Sequence, residues 1–200
     1  MEFDLSGDAL CLNLINTVLG RKHETPEENL HTYADLLDWG VQAGSITLTH
    51  AHVLRAAAAQ RPDEAARALD HARNIREALY HIFLPVAQHE VVPAENLAQL
   101  NMPLAHAMAH AQISAHEGHY EWGWREDEAA LDSVLWAALR DAADLLTTPE
   151  RLRYVRECGK KTCGWLFLDT TKNHSRRWCD MKTCGNVMKV RRHRERQHSG

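Results

Sequence analysis

The sequence predicts a mainly α (α+β) protein. A helical N-terminal domain with one β-hairpin spans residues 1–148. A small treble-clef-like four-cysteine zinc finger with a C-terminal basic helix spans residues 149–200. Three observations predict this. Apolar residues recur at three- and four-residue spacing through most of the first hundred positions, the mark of helices with one buried face. Around Glu117-Gly118 the period drops to two, the mark of a hairpin. Beyond residue 150 four cysteines stand as Cys158-x4-Cys163 and Cys179-x4-Cys184, fifteen residues apart.

Taken in order, Asp8 can cap a first helix carrying Leu10, Leu14, Ile15 and Val18 and ending near Gly20, before a polar loop over residues 21–28. Leu30, Tyr33, Leu36 and Leu37 predict a second helix to about Ala43, stopped by Gly44. Thr47 or Thr49 can cap a third helix holding the alanine run at 56–59. Pro62-Asp63-Glu64 opens a long helix, because proline fits the first turn and acids favour the N-terminal end of the dipole. Leu69, Ile75, Leu79 and Ile82 make it a core element, and Pro85 should kink or end it. A shorter helix follows Pro93, with Leu97 and Leu100 inward.

Residues 109–113 and 119–124 then alternate as two strands, with Tyr120, Trp122 and Trp124 on one face. That face is either the surface joining hairpin to helices or one wall of a small-molecule pocket. Asn13 and Asn16, polar among apolar neighbours, are the other pocket candidates, unless they cap or hydrogen-bond the backbone. Asp127-Glu128 starts a helix bearing Leu131, Val134, Leu135, Leu139, Leu145 and Leu146, and Thr147-Thr148-Pro149 closes it.

Paired cysteines in a chain without secretory features favour metal over disulfides or free thiols. Four thiolates suit one zinc ion in a closed, structural tetrahedron. Within the finger, residues 165–168 make a short strand, Asn173-His174-Ser175 a turn, and residues 177–179 a returning strand. A helix from about 181 to 196 carries Cys184 near its start. At about 100° per residue, Lys189, Arg192, His193 and Arg196 share one face, opposite Val187 and Val190, which can pack on the finger hairpin. Lys172, Arg176 and Arg177 extend the basic face from the turn.

Charge is divided along the chain. Residues 151–200 hold 14 Lys+Arg against 4 Asp+Glu, whereas the whole chain holds 23 against 27. A dense basic patch on a small metal module is the footprint of a nucleic-acid binder, and an acidic larger part would face away from phosphate. A solvated basic tail is the plainer alternative.

The segments 157–169 and 175–186, with Cys158-Gly159, Cys163-Gly164-Trp165 and Cys184-Gly185-Asn186 among their residues, resemble the two halves of the CGNR zinc finger. Val187 stands where the last letter of that name calls for Arg. Residues 11–17 (Cys-Leu-Asn-Leu-Ile-Asn-Thr) and 32–37 (Thr-Tyr-Ala-Asp-Leu-Leu) resemble the ABATE domain that accompanies this finger. The resemblance covers nearly the whole chain and implies a transcription regulator, with RNA binding also suggested for the family.

Other constellations carry less. The 14 histidines include His106 and His110 at helical spacing, but no His-Glu-x-x-His motif, so surface histidines are expected rather than a second metal site. Asp35 and Asp38 read as the wet face of a helix, and Cys11 as a small buried hydrophobe. No phosphate loop or nucleophile elbow is present, so no enzyme is expected. The acidic start and the lack of a long apolar run predict a cytoplasmic protein without signal peptide or membrane span. The expected function is DNA binding in transcription regulation. RNA binding, in which Trp165 or Trp178 stacks bases, and a protein- or effector-binding module without nucleic acid remain open. The effector, the target and the oligomeric state are not legible.

Overall fold

The computed structural model describes residues 2–125 and 130–188. Helix α1 is short, Leu10–Ile15, and every residue after Leu10 in it is buried. The expected longer helix is cut because the Thr17 hydroxyl donates to the Leu14 carbonyl at 2.8 Å, competing with the next helical turn. Val18 then enters a two-residue strand, β1 (Val18–Leu19), paired antiparallel with β2 (Glu27–Glu28) at the end of the polar loop. Asp8 makes no cap: the residue before the helix is Ala9, and Asp8 has φ of +56°.

Helix α2 (Tyr33–Ala43) starts on a capping box between Thr32 and Asp35 and ends at Gly44, whose φ of +76° closes the last turn. Leu30 belongs to the same apolar stripe but lies outside the helix, fully buried. Thr47 caps α3 (Leu48–Gln60) by accepting from the His50 amide, and Asp38 pairs with Arg55 across α2 and α3. Pro62 opens α4 (Pro62–Ala87), whose Leu69, Ile75, Leu79 and Ile82 are buried. Pro85 sits in its last turn, two residues from the end.

Helix α5 (Ala94–Met108) is longer than expected and passes through Pro103. Leu100, Pro103 and Ala107 turn inward, while Leu97 stands one turn before that stripe and is 38 % exposed, against expectation. The hairpin β3 (Ala111–His116) and β4 (His119–Trp124) turns on Glu117 and Gly118, both at positive φ. Trp124 packs against Trp136, with ring centroids 5.8 Å apart. Trp122 and Tyr120, further along the same face, are 48 % and 80 % exposed. The expected gluing surface is therefore close-packed only at Trp124; Trp122 meets the Arg140 guanidinium of α6, and Tyr120 is left in solvent.

The helix expected at Asp127-Glu128 begins outside the described residues. Within them a 3-10 turn, Ser133–Leu135, leads into α6 (Trp136–Leu146). A short α7 (Pro149–Leu152) leads to β5 (Val155–Glu157), which pairs antiparallel with β6 (Leu166–Leu168). The expected partner of β6, residues 177–179, forms no strand. Its place is taken by β5, upstream of the first cysteine pair.

Strand β6 governs how the two halves of the chain meet. Side chains alternate across a strand. Leu166 and Leu168 join the core formed by α1, α4 and α6, while Trp165 and Phe167 join the four cysteines. One strand buries both faces, which is why residues 165–168 are apolar without a break. The finger is thus built onto the helical domain: β5 and β6 pack on α4, and β6 also on α1.

Candidate metal centre

Cys158 and Cys163 lie at the two ends of the turn joining β5 to β6. The Cys158 amide donates to the Trp165 carbonyl and the Cys163 amide to the Lys160 carbonyl, each at 2.9 Å. Gly164 closes this turn at φ +72°, where an added Cβ would sit 2.9 Å from the Cβ of Arg21. Both conditions require glycine. Cys179 precedes a π-helical turn, Met181–Gly185, that contains Cys184. Asp180 caps that turn by accepting from the Thr183 amide at 2.8 Å and from its hydroxyl at 3.0 Å.

All four cysteines are buried, and their sulfurs lie within 4.8 Å of one another. Cys163 and Cys179 are 3.7 Å apart, Cys179 and Cys184 3.6 Å. A tetrahedron with Zn–S bonds of about 2.3 Å has edges of about 3.8 Å. A disulfide needs about 2.05 Å. The separations therefore fit four thiolates around one zinc ion and exclude disulfides. The four thiols also govern one another's ionisation. Hydrogen bonds from the other three thiols push Cys158 far down, while the same proximity pushes Cys163 and Cys179 far up. Thiolates this close repel one another, and a bound dication is what lets all four ionise. With every ligand position filled by sulfur, such a site holds structure and leaves none for water.

The metal-bearing loops are tied to the helical domain by named polar contacts. The Asn16 side-chain amide donates to the Leu166 carbonyl at 2.8 Å and its oxygen accepts from the Leu166 amide at 3.1 Å. Trp165 donates its indole N–H to the Val18 carbonyl at 2.7 Å. Lys22 pairs with Glu157. Arg176 donates to the carbonyls of Ser6 and Trp178 at 2.7 and 3.0 Å, reaches the Cys179 carbonyl and the Asp8 carboxylate, and lies 4.4 Å from the centre of the Phe167 ring. Asp169, 1 % exposed, organises the turn that follows it, accepting from Thr171 and from the Arg176 amide. Burial opposes its ionisation, but these bonds outweigh it and hold its pKa low.

These contacts sort the expected nucleic-acid residues. Arg176 is engaged within the fold, its guanidinium already partnered. Lys172 and Arg177 are exposed beside a groove of about 340 Å³ that Trp178 and Met181 also line. Lys161 and Lys182, exposed on the same finger, join them although their isolated positions gave no periodic signal. Lys189, Arg192, His193 and Arg196 lie outside the described residues. Val187 is 52 % exposed rather than buried against the finger hairpin, and Val190 lies outside the described residues. Trp165 is buried and unavailable for stacking, whereas Trp178 is part-exposed with the Arg177 guanidinium 5.7 Å from its ring centre.

The expected pocket residues separate as well. Asn13 accepts from the Gly7 amide at 2.9 Å and Asn16 is spent on Leu166, so neither faces a cavity. Tyr120 points into solvent. Trp122 and Trp124 do border a cleft in the helical domain. His106 pairs with Asp132 at 3.1 Å, and among the described residues no histidine joins a metal-ligating cluster. Cys11 is fully buried, and burial pushes its thiol well up. Among the described residues no helix is long and apolar enough to cross a membrane.

Residues 8–149 match the family model of the ABATE domain, described as a "putative stress-induced transcription regulator". Residues 154–197 match that of the CGNR zinc finger. No curated protein matches the chain. The junction between the two matched segments falls where α7 hands over to β5, just ahead of the cysteine cluster. With the greater part of its length under the first match and the metal-binding geometry under the second, the chain belongs to the ABATE family and carries a CGNR zinc finger.

Proposed function

We propose that this protein is a DNA-binding transcription regulator whose finger makes the nucleic-acid contact and whose acidic helical domain faces away from the phosphates. It acts by binding rather than catalysis, in the cytoplasm, where thiols stay reduced and available to zinc. One observation carries the reading. Lys161, Lys172, Arg177 and Lys182 are exposed on the finger that holds the four thiolates. The chain then continues into the basic sequence 189–196. Four cations on a metal-braced scaffold can meet four phosphates in a fixed register, which positions a protein on a duplex without specifying sequence.

The test is fluorescence anisotropy of the zinc-loaded chain on duplex DNA across a salt series. Four to five contacts predict a slope of about −4 in log association constant against log salt. Replacing Arg177 and Lys182 together by Glu flattens it by about two. A slope near zero overturns the proposal and leaves the interaction-module reading. RNA is the second reading, favoured by the part-exposed Trp178 beside Arg177, a platform on which an unpaired base can stack. Single-stranded RNA that outcompetes duplex DNA, and loses that advantage in Trp178→Ala, decides for it.

A further inference from the structure

The helical domain holds a cleft that the finger does not use. It lies between strand β4, the corner joining α2 to α3, and the start of α6, and encloses about 1110 Å³. That is the scale of small-molecule sites. Its exposed aromatic surface comes from Trp122 and, in part, Trp124 on the hairpin, with the buried Trp136 of α6 behind them. Its charge comes from Arg125 and Arg140 against the single carboxylate of Glu121. The Arg140 guanidinium lies 4.6 Å from the Trp122 ring centre and pairs with the half-exposed Asp144 at 3.3 Å. Opposite, the His50 ring nitrogen meets the Ser133 hydroxyl at 2.9 Å, a polar pair at the cleft wall.

We propose that this cleft binds a planar aromatic carboxylate as a small-molecule effector. Indole faces supply stacking area, and a guanidinium already stacked on one of them is placed to meet an anionic group in the plane of a stacked ring. Arg125, whose guanidinium donates to the Ala109 carbonyl, adds positive charge, and hydroxyl-bearing side chains around the rim complete the polar contacts. A cationic aromatic is disfavoured because arginines outnumber acids in the lining. The position also matters for the finger. Helix α6 bears on α1, where Asp141 accepts from the Cys11 amide at 2.9 Å. Asn16, which ends α1, holds the Leu166 backbone next to the metal-bearing turn. The proposal stands whether or not the finger binds DNA, since it concerns binding to the helical domain alone.

The test is titration of the zinc-loaded full chain with 1-naphthoate and benzoate, followed by NMR of the indole N–H resonances and by calorimetry. Uncharged 1-naphthalenemethanol and cationic benzamidine are the comparison ligands. The expected result is saturable 1-naphthoate binding with a Kd of about 1 mM or tighter, moving the Trp122 and Trp124 signals. Arg140→Gln should weaken the carboxylate about tenfold and leave the alcohol unchanged. Trp122→Ala should weaken both. Zinc content and far-UV circular dichroism report whether each variant is folded; if one is not, Arg140→Lys and Trp122→Leu take its place. No saturable carboxylate binding, preference for benzamidine, or indifference to both substitutions overturns the proposal.

Discussion

Replacing Asn16 by Ala tests whether the finger and the helical domain form one cooperative unit. Asn16 is 2 % exposed and satisfies both the amide and the carbonyl of Leu166, at 3.1 and 2.8 Å. The substitution leaves a buried donor and a buried acceptor without partners. Each orphaned group costs roughly 1–3 kcal/mol, so the pair should cost about 3 kcal/mol. With a urea m-value of about 2 kcal/mol/M, the unfolding midpoint should fall by about 1.5 M. Two probes should follow the transition: far-UV circular dichroism for the helices, and chelator-accessible zinc for the finger. Both should shift together, because Leu166 belongs to the helical core while its neighbours Trp165 and Phe167 surround the thiolates. A midpoint unchanged within about 0.3 M, or a shift in zinc release alone, would refute this account of the junction.

Zinc removal follows from the same geometry. Chelation, or Cys184→Ser, should release residues 157–188 and also lower the thermal midpoint of the helical domain, since Val155, Leu166 and Leu168 are part of its core; melting of the chelated protein checks this, and an unchanged helical transition counts against it. Acid should weaken the fold through Glu28 and Glu77. Burial works against their ionisation, but Arg76 and Arg21 respectively outweigh it and lower both pKa values. A lowered folded-state pKa gives stability that is present above the unfolded value, near 4.5, and lost as pH falls through the folded value. Glu28→Gln should therefore flatten the fall in urea midpoint below about pH 4.5, relative to the unsubstituted chain. Val187→Arg should keep full zinc content, because Val187 is half exposed, and should raise duplex affinity modestly, by about the factor of one added phosphate contact; loss of zinc in this variant would place Val187 in the finger's packing.

Local signals carried much of the architecture. The stop at Gly44, the cap at Thr47 (one of two candidates), Pro62 at the head of α4 and the Glu117-Gly118 turn depend on residues close in sequence, and all stand where those residues put them. The cysteine pairs were legible because metal coordination restricts ligand type and spacing so strongly. Less was legible where two distant segments compete for one group. Residues 177–179 carry strand-like composition, but β6 is paired by β5, a choice set by the path of the chain around Cys158 and Cys163. Asn16, directly after α1, is committed to a strand 150 positions away, which no local pattern announces.

The sequence by itself therefore determined the helices, the hairpin turn, the ligand set and the segregation of charge, all of which follow from periodicity, caps, spacing and composition. Only the tertiary structure decided what individual polar and aromatic side chains do. Arg176 has the composition of a phosphate ligand, yet its guanidinium is enclosed among Ser6, Asp8, Trp178 and Cys179. Asn16 has the pattern of a pocket residue, yet it fastens the finger to the helical core. Tyr120 and Trp122 have the pattern of core, yet Tyr120 is left in solvent and Trp122 meets the Arg140 guanidinium at an open cleft. The reason is physical: a donor, acceptor or ring serves whichever partner the folded chain brings within contact distance, and for these residues that partner lies far along the sequence or is water.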